Sequence, residues 1–171
     1  IHDCKIFEAS YNKDNNYKVR PMKIINISGP INSGKSTVSK LLVKLLPKAI
    51  FIEVDELLSD EEQAALNLDF KAGIAERLKR LDTEIKKHIA SKQYDYIIFA
   101  YPVTAKNYSL WKNMVGNNSL ICITLSPSLE NCLSNRGKRE LTAFETNRIK
   151  EMYQQDYHHP ANADLIVYND T

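Results

Sequence analysis

The chain has 171 residues, of which 43% are hydrophobic and 26% are charged, and its formal net charge is +2. This length suits one domain with a substantial core, and the composition is typical of a globular protein. The sequence contains no apolar run long enough to span a membrane, and the small net charge does not by itself indicate a nucleic acid partner.

The cysteines are few and irregularly spaced. There are three cysteines, which is an odd number, and no two of them have C-x-x-C spacing: Cys4, Cys122 and Cys132. This usage predicts reduced thiols and a cytoplasmic protein. No base is visibly paired with any of them, so we do not expect a catalytic cysteine.

Residues 1–22 are interpreted as an N-terminal extension of unknown role. Two strand-like stretches, Cys4–Ala9 and Tyr17–Arg20, flank a turn-prone run of polar residues, and a poorly ordered arm is the alternative. Residues 23–171 carry the regular alternation of strand-like and helix-like segments, so one domain is expected there.

A glycine-rich loop follows the first predicted strand, Lys23–Ser28, and precedes a predicted helix, Lys35–Leu46. It matches the phosphate-binding pattern G-x-x-x-x-G-K-S/T, which predicts that its backbone N–H groups surround phosphates. The Lys35 ammonium should reach the β- and γ-phosphates, and the Ser36 hydroxyl should ligate Mg²⁺. A tight turn that binds nothing is the alternative. The predicted nucleotide-binding residues are Gly29, Pro30, Ile31, Asn32, Ser33, Gly34, Lys35, Ser36 and Thr37.

Two acids stand at the end of the second predicted strand, Ala49–Val54. Glu53 and Asp55 are two residues apart, which puts them on one face of an extended chain. Ligands of parallel sheets collect at the carboxyl ends of strands, so both acids should point towards the γ-phosphate. One can take the proton of an attacking hydroxyl, and the other can help to hold Mg²⁺. Capping of the following helix is the alternative.

The remaining segments alternate between helix and strand. Ser59 with Glu62, and Thr142 with Glu145, have the spacing of a helix-capping box. On the long helix 71–92, the basic residues Arg77, Lys79, Arg80, Lys86 and Lys87 are expected to form a solvated face. The predicted elements are strands at 94–101, 120–125 and 164–168, and helices at 71–92, 104–115, 127–135 (with Ser126 as N-cap) and 142–157. This pattern predicts an α/β P-loop NTPase fold, a three-layer sandwich with a five-stranded parallel sheet.

Two classes of P-loop protein fit poorly. A GTPase needs an N-K-x-D motif after the P-loop, and Asn12-Lys13-Asp14 precedes it. Motor and transporter ATPases usually carry an acid at the end of the third strand, which here ends in Ile98-Phe99-Ala100-Tyr101.

The chain resembles the small P-loop kinases over about residues 23–171. The resemblance is carried by Gly29–Thr37, by Glu53-Val54-Asp55, by the arginines of the loop at 136–139 and by the closing Pro160–Val167 segment. The closing segment is similar to that of adenylylsulfate kinase. Asp55 and the helix that follows it resemble the corresponding part of chloramphenicol phosphotransferase. The spacing of an acid, one residue and Asp is similar to that in shikimate kinase. Glu53 stands where many relatives have Asp.

The resemblance implies a kinase that uses ATP and Mg²⁺ to phosphorylate a hydroxyl of a small-molecule acceptor. It implies that Asp55 binds or deprotonates the acceptor, that Arg136 and Arg139 close a lid over ATP, and that the last loop holds adenine. We assign Lys35, Asp55, Arg136 and Arg139 as candidate catalytic residues, and Ser36 with Glu53 as candidate metal ligands. Arg148 is a further candidate for the same site.

Several interpretations stay open at this stage. Four aromatic residues either line an acceptor pocket or belong to the core: Phe70, Tyr101, Tyr108 and Trp111. The pair His158-His159 is interpreted as part of a turn. The acceptor is a nucleotide-like metabolite, an antibiotic or a sugar acid. No interleaving of aromatic and basic residues supports a polynucleotide. The alternative function is a regulatory module, or the kinase domain of a longer chain, that binds ATP without hydroxyl transfer.

Overall fold

The computed structural model describes residues 21–116, 118–134 and 140–170, which build a parallel sheet of five strands. The strands lie in the order β2-β3-β1-β4-β5, so β1 is central. Ile25 of β1 is paired with Ile98 of β3 on one side and with Ile121 of β4 on the other. The strands are β1 (Lys23–Ser28), β2 (Ala49–Ile52), β3 (Tyr96–Ala100), β4 (Ser119–Leu125) and β5 (Leu165–Val167).

Helices cover both faces of this sheet, which confirms the predicted α/β architecture. A short 3₁₀ helix, Val54–Leu57, directly follows β2. None of the helices among the described residues has the length and apolar character needed to cross a membrane. The helices are α1 (Lys35–Leu45), α2 (Asp60–Ala65), α3 (Phe70–Ser91), α4 (Ala105–Val115), α5 (Leu129–Leu133) and α6 (Ala143–Gln154).

The core has two halves because neighbouring residues of a strand point to opposite faces of the sheet. Ile24 of β1 belongs to a cluster with Trp111 of α4 and Leu81 of α3. Ile25, the next residue, belongs to a second cluster that packs against Leu42 of α1. The central strands are therefore buried on both faces, which explains their almost continuously apolar sequences.

The helix starts follow local capping signals closely. The predicted capping box of α6 is present, with the Thr142 side chain accepting from the Glu145 N–H. The prediction for the fifth helix is wrong: it begins at Leu129 with Ser128 as N-cap, and not at Pro127 with Ser126. The Ser126 N–H donates to the carbonyl of Val167 at 2.8 Å, so the chain stays extended for longer than predicted.

The second strand is also shorter than predicted. It ends at Ile52, and the Glu56 N–H then closes a turn onto the Glu53 carbonyl at 3.2 Å. Asp55 consequently lies on the 3₁₀ helix, while the side chain of Val54 is buried beneath it. The two acids thus occupy different local structures.

Candidate functional site

The predicted phosphate-binding loop connects the carboxyl end of the central strand β1 to α1. Gly29 has a φ of 135°, and a Cβ on it would lie 2.5 Å from the Leu125 carbonyl oxygen and 2.7 Å from Ser33 Oγ. Gly34 also has a positive φ, 92°. Both turns of the loop therefore depend on glycine, as the motif predicts.

The start of α1 differs from that of the other helices. Helices α2 to α6 each begin with a side chain that accepts a hydrogen bond from a first-turn N–H. No described side chain caps α1, and its first turn contains no acidic residue. The N–H groups and the positive end of the helix dipole at α1 are thereby left to an external anion.

Lys35 is the first residue of α1 and is turned back onto its own loop. Its Nζ donates to the Pro30 carbonyl at 2.6 Å. Burial lowers its pKa to about 8, and the nearby carboxylates of Asp55 and Glu53 offset only part of that effect. A buried ammonium with so little compensating charge favours a polyanion next to it.

Two asparagines connect the loop to distant parts of the chain. Asn32 Nδ2 donates to the carbonyls of Cys132 and Ser134, both at 2.9 Å. Asn169 Nδ2 donates to the Ser33 carbonyl at 3.0 Å. Sequence reasoning missed Asn169 because no motif marks a contact between residues 136 positions apart.

The candidate metal ligands Ser36 and Glu53 lie together. Burial raises the pKa of Glu53, and a hydrogen bond with Ser36 acts in the opposite direction. Lys40 Nζ lies 4.0 Å from a Glu53 oxygen. A hydroxyl and a partly buried carboxylate are oxygen ligands that suit Mg²⁺. Within residues 21–116, 118–134 and 140–170 no group of three or more His, Cys, Asp or Glu side chains is placed to hold a metal ion, so phosphate oxygens and water would complete its coordination.

A cleft of about 790 Å³ joins the loop to the remaining candidate residues. Lys35, Ser36 and Asp55 all line it, so the structure brings these predicted residues together. Asp55 is exposed to solvent in this cleft. Arg136 and Arg139 lie outside the described residues, and the predicted lid stays a prediction.

Tyr101 forms part of the cleft wall and is held by the end of β1. Its N–H donates to the Ile27 carbonyl at 3.1 Å, and its own carbonyl accepts from Asn26 Nδ2 at 2.9 Å. Burial raises the pKa of Tyr101, and the nearby Tyr157 and Asp55 add to the effect. Sequence reasoning overlooked Asn26, although a polar residue inside an apolar strand is a signal that was available.

The predicted solvated face of α3 is wrong for two of its arginines. The Arg77 side chain is only 16% exposed, lines the cleft and donates to the Leu58 carbonyl at 3.3 and 3.4 Å. Arg80 donates to the Leu57 carbonyl at 2.8 Å. Both arginines satisfy carbonyls at the end of the 3₁₀ helix, which lack a partner within that helix. Lys79, by contrast, is 76% exposed as expected.

The four candidate pocket aromatics divide between cleft and core. Phe70 and Tyr101 line the cleft. Trp111 is buried in the core, and Tyr108 packs against the same cluster. The wall beyond the loop is completed mainly by Ile74, Arg77, Leu110, Phe144, Arg148 and Tyr157.

No family model and no curated protein matches this chain, whereas solved structures do. The APS kinase of Mycobacterium tuberculosis, solved with AMPPNP and APS, is 23% identical, with a TM-score of 0.56 over 89% of this chain and 91% of that one. Shikimate kinase from Acinetobacter baumannii, solved with shikimate, is 16% identical, with a TM-score of 0.56 over 91% and 87%.

A chain of the Pnkp1/Rnl/Hen1 RNA repair complex is 10% identical, with a TM-score of 0.57 over 85% of this chain. The present chain spans about half, 49%, of the length of that one. These likenesses show the fold: the chain has the α/β fold of the small P-loop kinases, as its motifs predict.

Proposed function

We propose that this chain is an ATP-dependent phosphotransferase that moves the γ-phosphoryl group of ATP to a hydroxyl of a small molecule. One observation carries the proposal: the uncapped start of α1, the buried Lys35 and the exposed carboxylate of Asp55 border a single cleft. A site for a polyanion and a candidate base for an alcohol thus lie side by side. Phosphoryl transfer needs mainly this positioning, together with neutralisation of charge.

In this proposal the loop Gly29–Thr37 binds the triphosphate through its backbone N–H groups. Lys35 exchanges the Pro30 carbonyl for phosphate oxygens, which supply the negative charge that its buried ammonium lacks. Asn32 and Asn169 keep the loop in its binding conformation. The closing loop that precedes β5 is proposed to hold adenine, and Arg136 with Arg139 to close over the phosphates.

Ser36 and Glu53 would hold Mg²⁺. The two side chains are neighbours, and burial raises the pKa of the Glu53 carboxyl, an effect that a bound cation would oppose. When bound, Mg²⁺ supplies positive charge to the phosphate oxygens. The pairing of Glu53 with Ser36 also separates the two acids: Glu53 serves the metal, and Asp55 is left for the acceptor.

Asp55 orients the acceptor hydroxyl and accepts its proton. The acceptor oxygen forms a bond to the γ-phosphorus, the bond from that phosphorus to the β–γ bridging oxygen breaks, and ADP leaves with the electron pair. Because Asp55 is exposed in the cleft and lies on a short helix anchored by the buried Val54 and Leu58, it can approach an acceptor without rearrangement of the core.

The test is release of ADP from Mg-ATP across a panel of alcohols. The panel holds adenylylsulfate, nucleosides, sugar acids, chloramphenicol-like and aminoglycoside antibiotics and an oligonucleotide with a free 5′-hydroxyl. We expect one acceptor class to raise turnover well above the rate without acceptor, and Lys35→Ala to abolish that turnover. Asp55→Asn should lower kcat by about a hundredfold or more and leave ATP affinity nearly unchanged.

Glu56→Gln is the matched control, because Glu56 is an exposed acid on the same 3₁₀ helix and lies outside the cleft wall. Full transfer activity in Asp55→Asn would remove Asp55 from the chemistry. Tight ATP binding with no active acceptor would instead favour the regulatory module.

A further inference from the structure

The part of the cleft beyond the phosphate loop has a composition that indicates what it binds. We call this part the acceptor arm and define it by six of its lining residues. They come from α3, from the residue after β3, from α6 and from the segment that follows α6. The acceptor arm is lined by Phe70, Arg77, Tyr101, Phe144, Arg148 and Tyr157.

Two helices present the same order of side chains to this arm. On α3, Phe70 is followed two turns later by Arg77, and on α6, Phe144 is followed one turn later by Arg148. Residues at these spacings share one face of a helix. Each helix therefore offers the arm a phenylalanine at its N-terminal end and an arginine further along.

The two phenylalanines meet across the opening of the arm. The rings of Phe70 and Phe144 are edge to face, with centroids 5.5 Å apart. Both residues are nevertheless exposed, Phe70 by 56% and Phe144 by 58%. Two adjoining aromatic rings with more than half of their surface in water form an apolar patch that a ligand with an apolar ring would cover.

The two arginines lie deeper than the phenylalanines. Their side chains are only 16% exposed for Arg77 and 28% for Arg148. Arg77 is 3.6 Å from Asp60, whose carboxylate is 98% exposed and is therefore a weak electrostatic partner. Arg148 pairs with the exposed Glu151 at 2.8 Å, and its guanidinium lies 5.8 Å from the ring centre of Tyr157.

The described lining of the cleft has two more basic than acidic side chains. Its acids are Asp55, which faces the reaction, and Glu145, which is engaged in the capping box of α6. Its bases are Lys35, Lys106, Arg77 and Arg148. Arg77 and Arg148 therefore keep much of their charge for a ligand. Guanidinium groups recognise carboxylates, phosphates and sulfates through paired hydrogen bonds.

We propose that the acceptor is an alcohol that carries both a flat apolar ring and an anionic group. The ring packs on Phe70 and Phe144, and the anionic group binds between Arg77 and Arg148. This inference rests on the proposed function only for the statement that the ligand is a phosphoryl acceptor. The binding preference itself can be measured without any transfer.

The test uses four probes that lack a reactive hydroxyl, and isothermal titration calorimetry measures their affinities. Naphthoate has the ring and the charge, naphthamide has the same ring without charge, and cyclohexanecarboxylate has the charge without a flat ring. We expect naphthoate to bind at least about tenfold more tightly than either of the others. Naphthyl phosphate, run beside naphthoate, distinguishes a phosphate-bearing ligand from a carboxylate-bearing one.

Variants assign the preference to individual side chains. Arg77→Gln and Arg148→Gln should each weaken naphthoate about tenfold and leave naphthamide unchanged, while Phe70→Leu should weaken both. Lys79→Gln is the matched control, since Lys79 lies on α3 and outside the cleft wall. Thermal melts of each variant exclude loss of folding as the cause of weaker binding.

Failure of this inference is distinguishable from failure of the proposed function. Equal affinities for naphthoate and naphthamide would overturn the inference, even if a neutral alcohol is phosphorylated. Arginine variants that weaken ATP binding and leave naphthoate unaffected would also overturn it, because the arginines would then serve the nucleotide. Tight naphthoate binding without any active acceptor would support the subsite and remove the kinase proposal.

Discussion

Lys35 combines two properties that conflict in the absence of a ligand. It is buried, which disfavours its charge, and it is the predicted partner of a polyanion, which requires that charge. With a pKa of about 8, the ammonium is half deprotonated at about pH 8. Contact with phosphates raises the pKa of a lysine, because opposite charge favours the protonated form. Nucleotide binding should therefore be coupled to uptake of a proton.

This coupling fixes how nucleotide affinity depends on pH. Above pH 8 the free protein has lost the proton that the bound form keeps, so affinity for AMPPNP should fall about tenfold per pH unit. Calorimetry in buffers of different ionisation enthalpy should detect an uptake of about half a proton at pH 8. Lys44→Met, an exposed lysine of the same helix, should leave both results unchanged. Constant affinity between pH 7 and 9 would contradict the assignment.

At the scale of elements, the 3₁₀ helix that carries Asp55 depends on α3. Arg80 donates to the carbonyl of Leu57, the last residue of that helix, at 2.8 Å. Two hydrogen bonds from the same guanidinium to Glu62, at 2.8 and 2.9 Å, hold it in place. Arg80 lies outside the cleft wall, so it positions the helix that bears Asp55 and makes no contact with a ligand in the cleft.

Substitution of Arg80 should therefore affect turnover and not nucleotide affinity. We expect Arg80→Gln to lower kcat about ten- to hundredfold through misplacement of Asp55, with KM for ATP nearly unchanged. Arg80→Lys should restore part of the activity, because an ammonium can still reach the Leu57 carbonyl. Lys79→Gln, at an exposed site of the same helix, is the control. An equal loss of kcat in Arg80→Gln and Lys79→Gln would show that Arg80 does not position Asp55. A change in KM for ATP alone would show the same.

Local signals explain which elements were predictable. The P-loop, the five strands and the capping box at Thr142 depend on residues close in sequence, and the structure has all of them. The hydrogen bonds of Arg77 and Arg80 to main-chain carbonyls were not predictable, because their partners Leu58 and Leu57 lie 19 and 23 residues away in sequence. The early start predicted for α5 failed for the same reason: pairing with β5 overrides the local preference.

At the scale of the whole molecule, the phosphate loop is the point where distant segments meet. Gly29 packs closely against the Leu125 carbonyl at the end of β4. Asn32 binds the C-terminal end of α5, and Asn169, beyond β5, binds the Ser33 carbonyl. A ligand that orders the loop must therefore also order both of these segments, since they share its hydrogen bonds.

Hydrogen–deuterium exchange can measure this coupling, because amide protection reports local opening. Mg-AMPPNP should slow exchange in residues 29–37 and also in residues 129–134 and 165–170. The second half of α3, residues 82–91, has its own contacts with the core and should be unaffected. Asn169→Ala should reduce the added protection of residues 165–170 more than that of residues 129–134, because Asn32 still binds the latter segment and the contact of Asp170 with Ser128 and Asn131 still joins the two. If nucleotide protects only the loop in the unaltered protein, these hydrogen bonds hold the two segments equally well without nucleotide. The two asparagines would then support the fold and not the response to ligand.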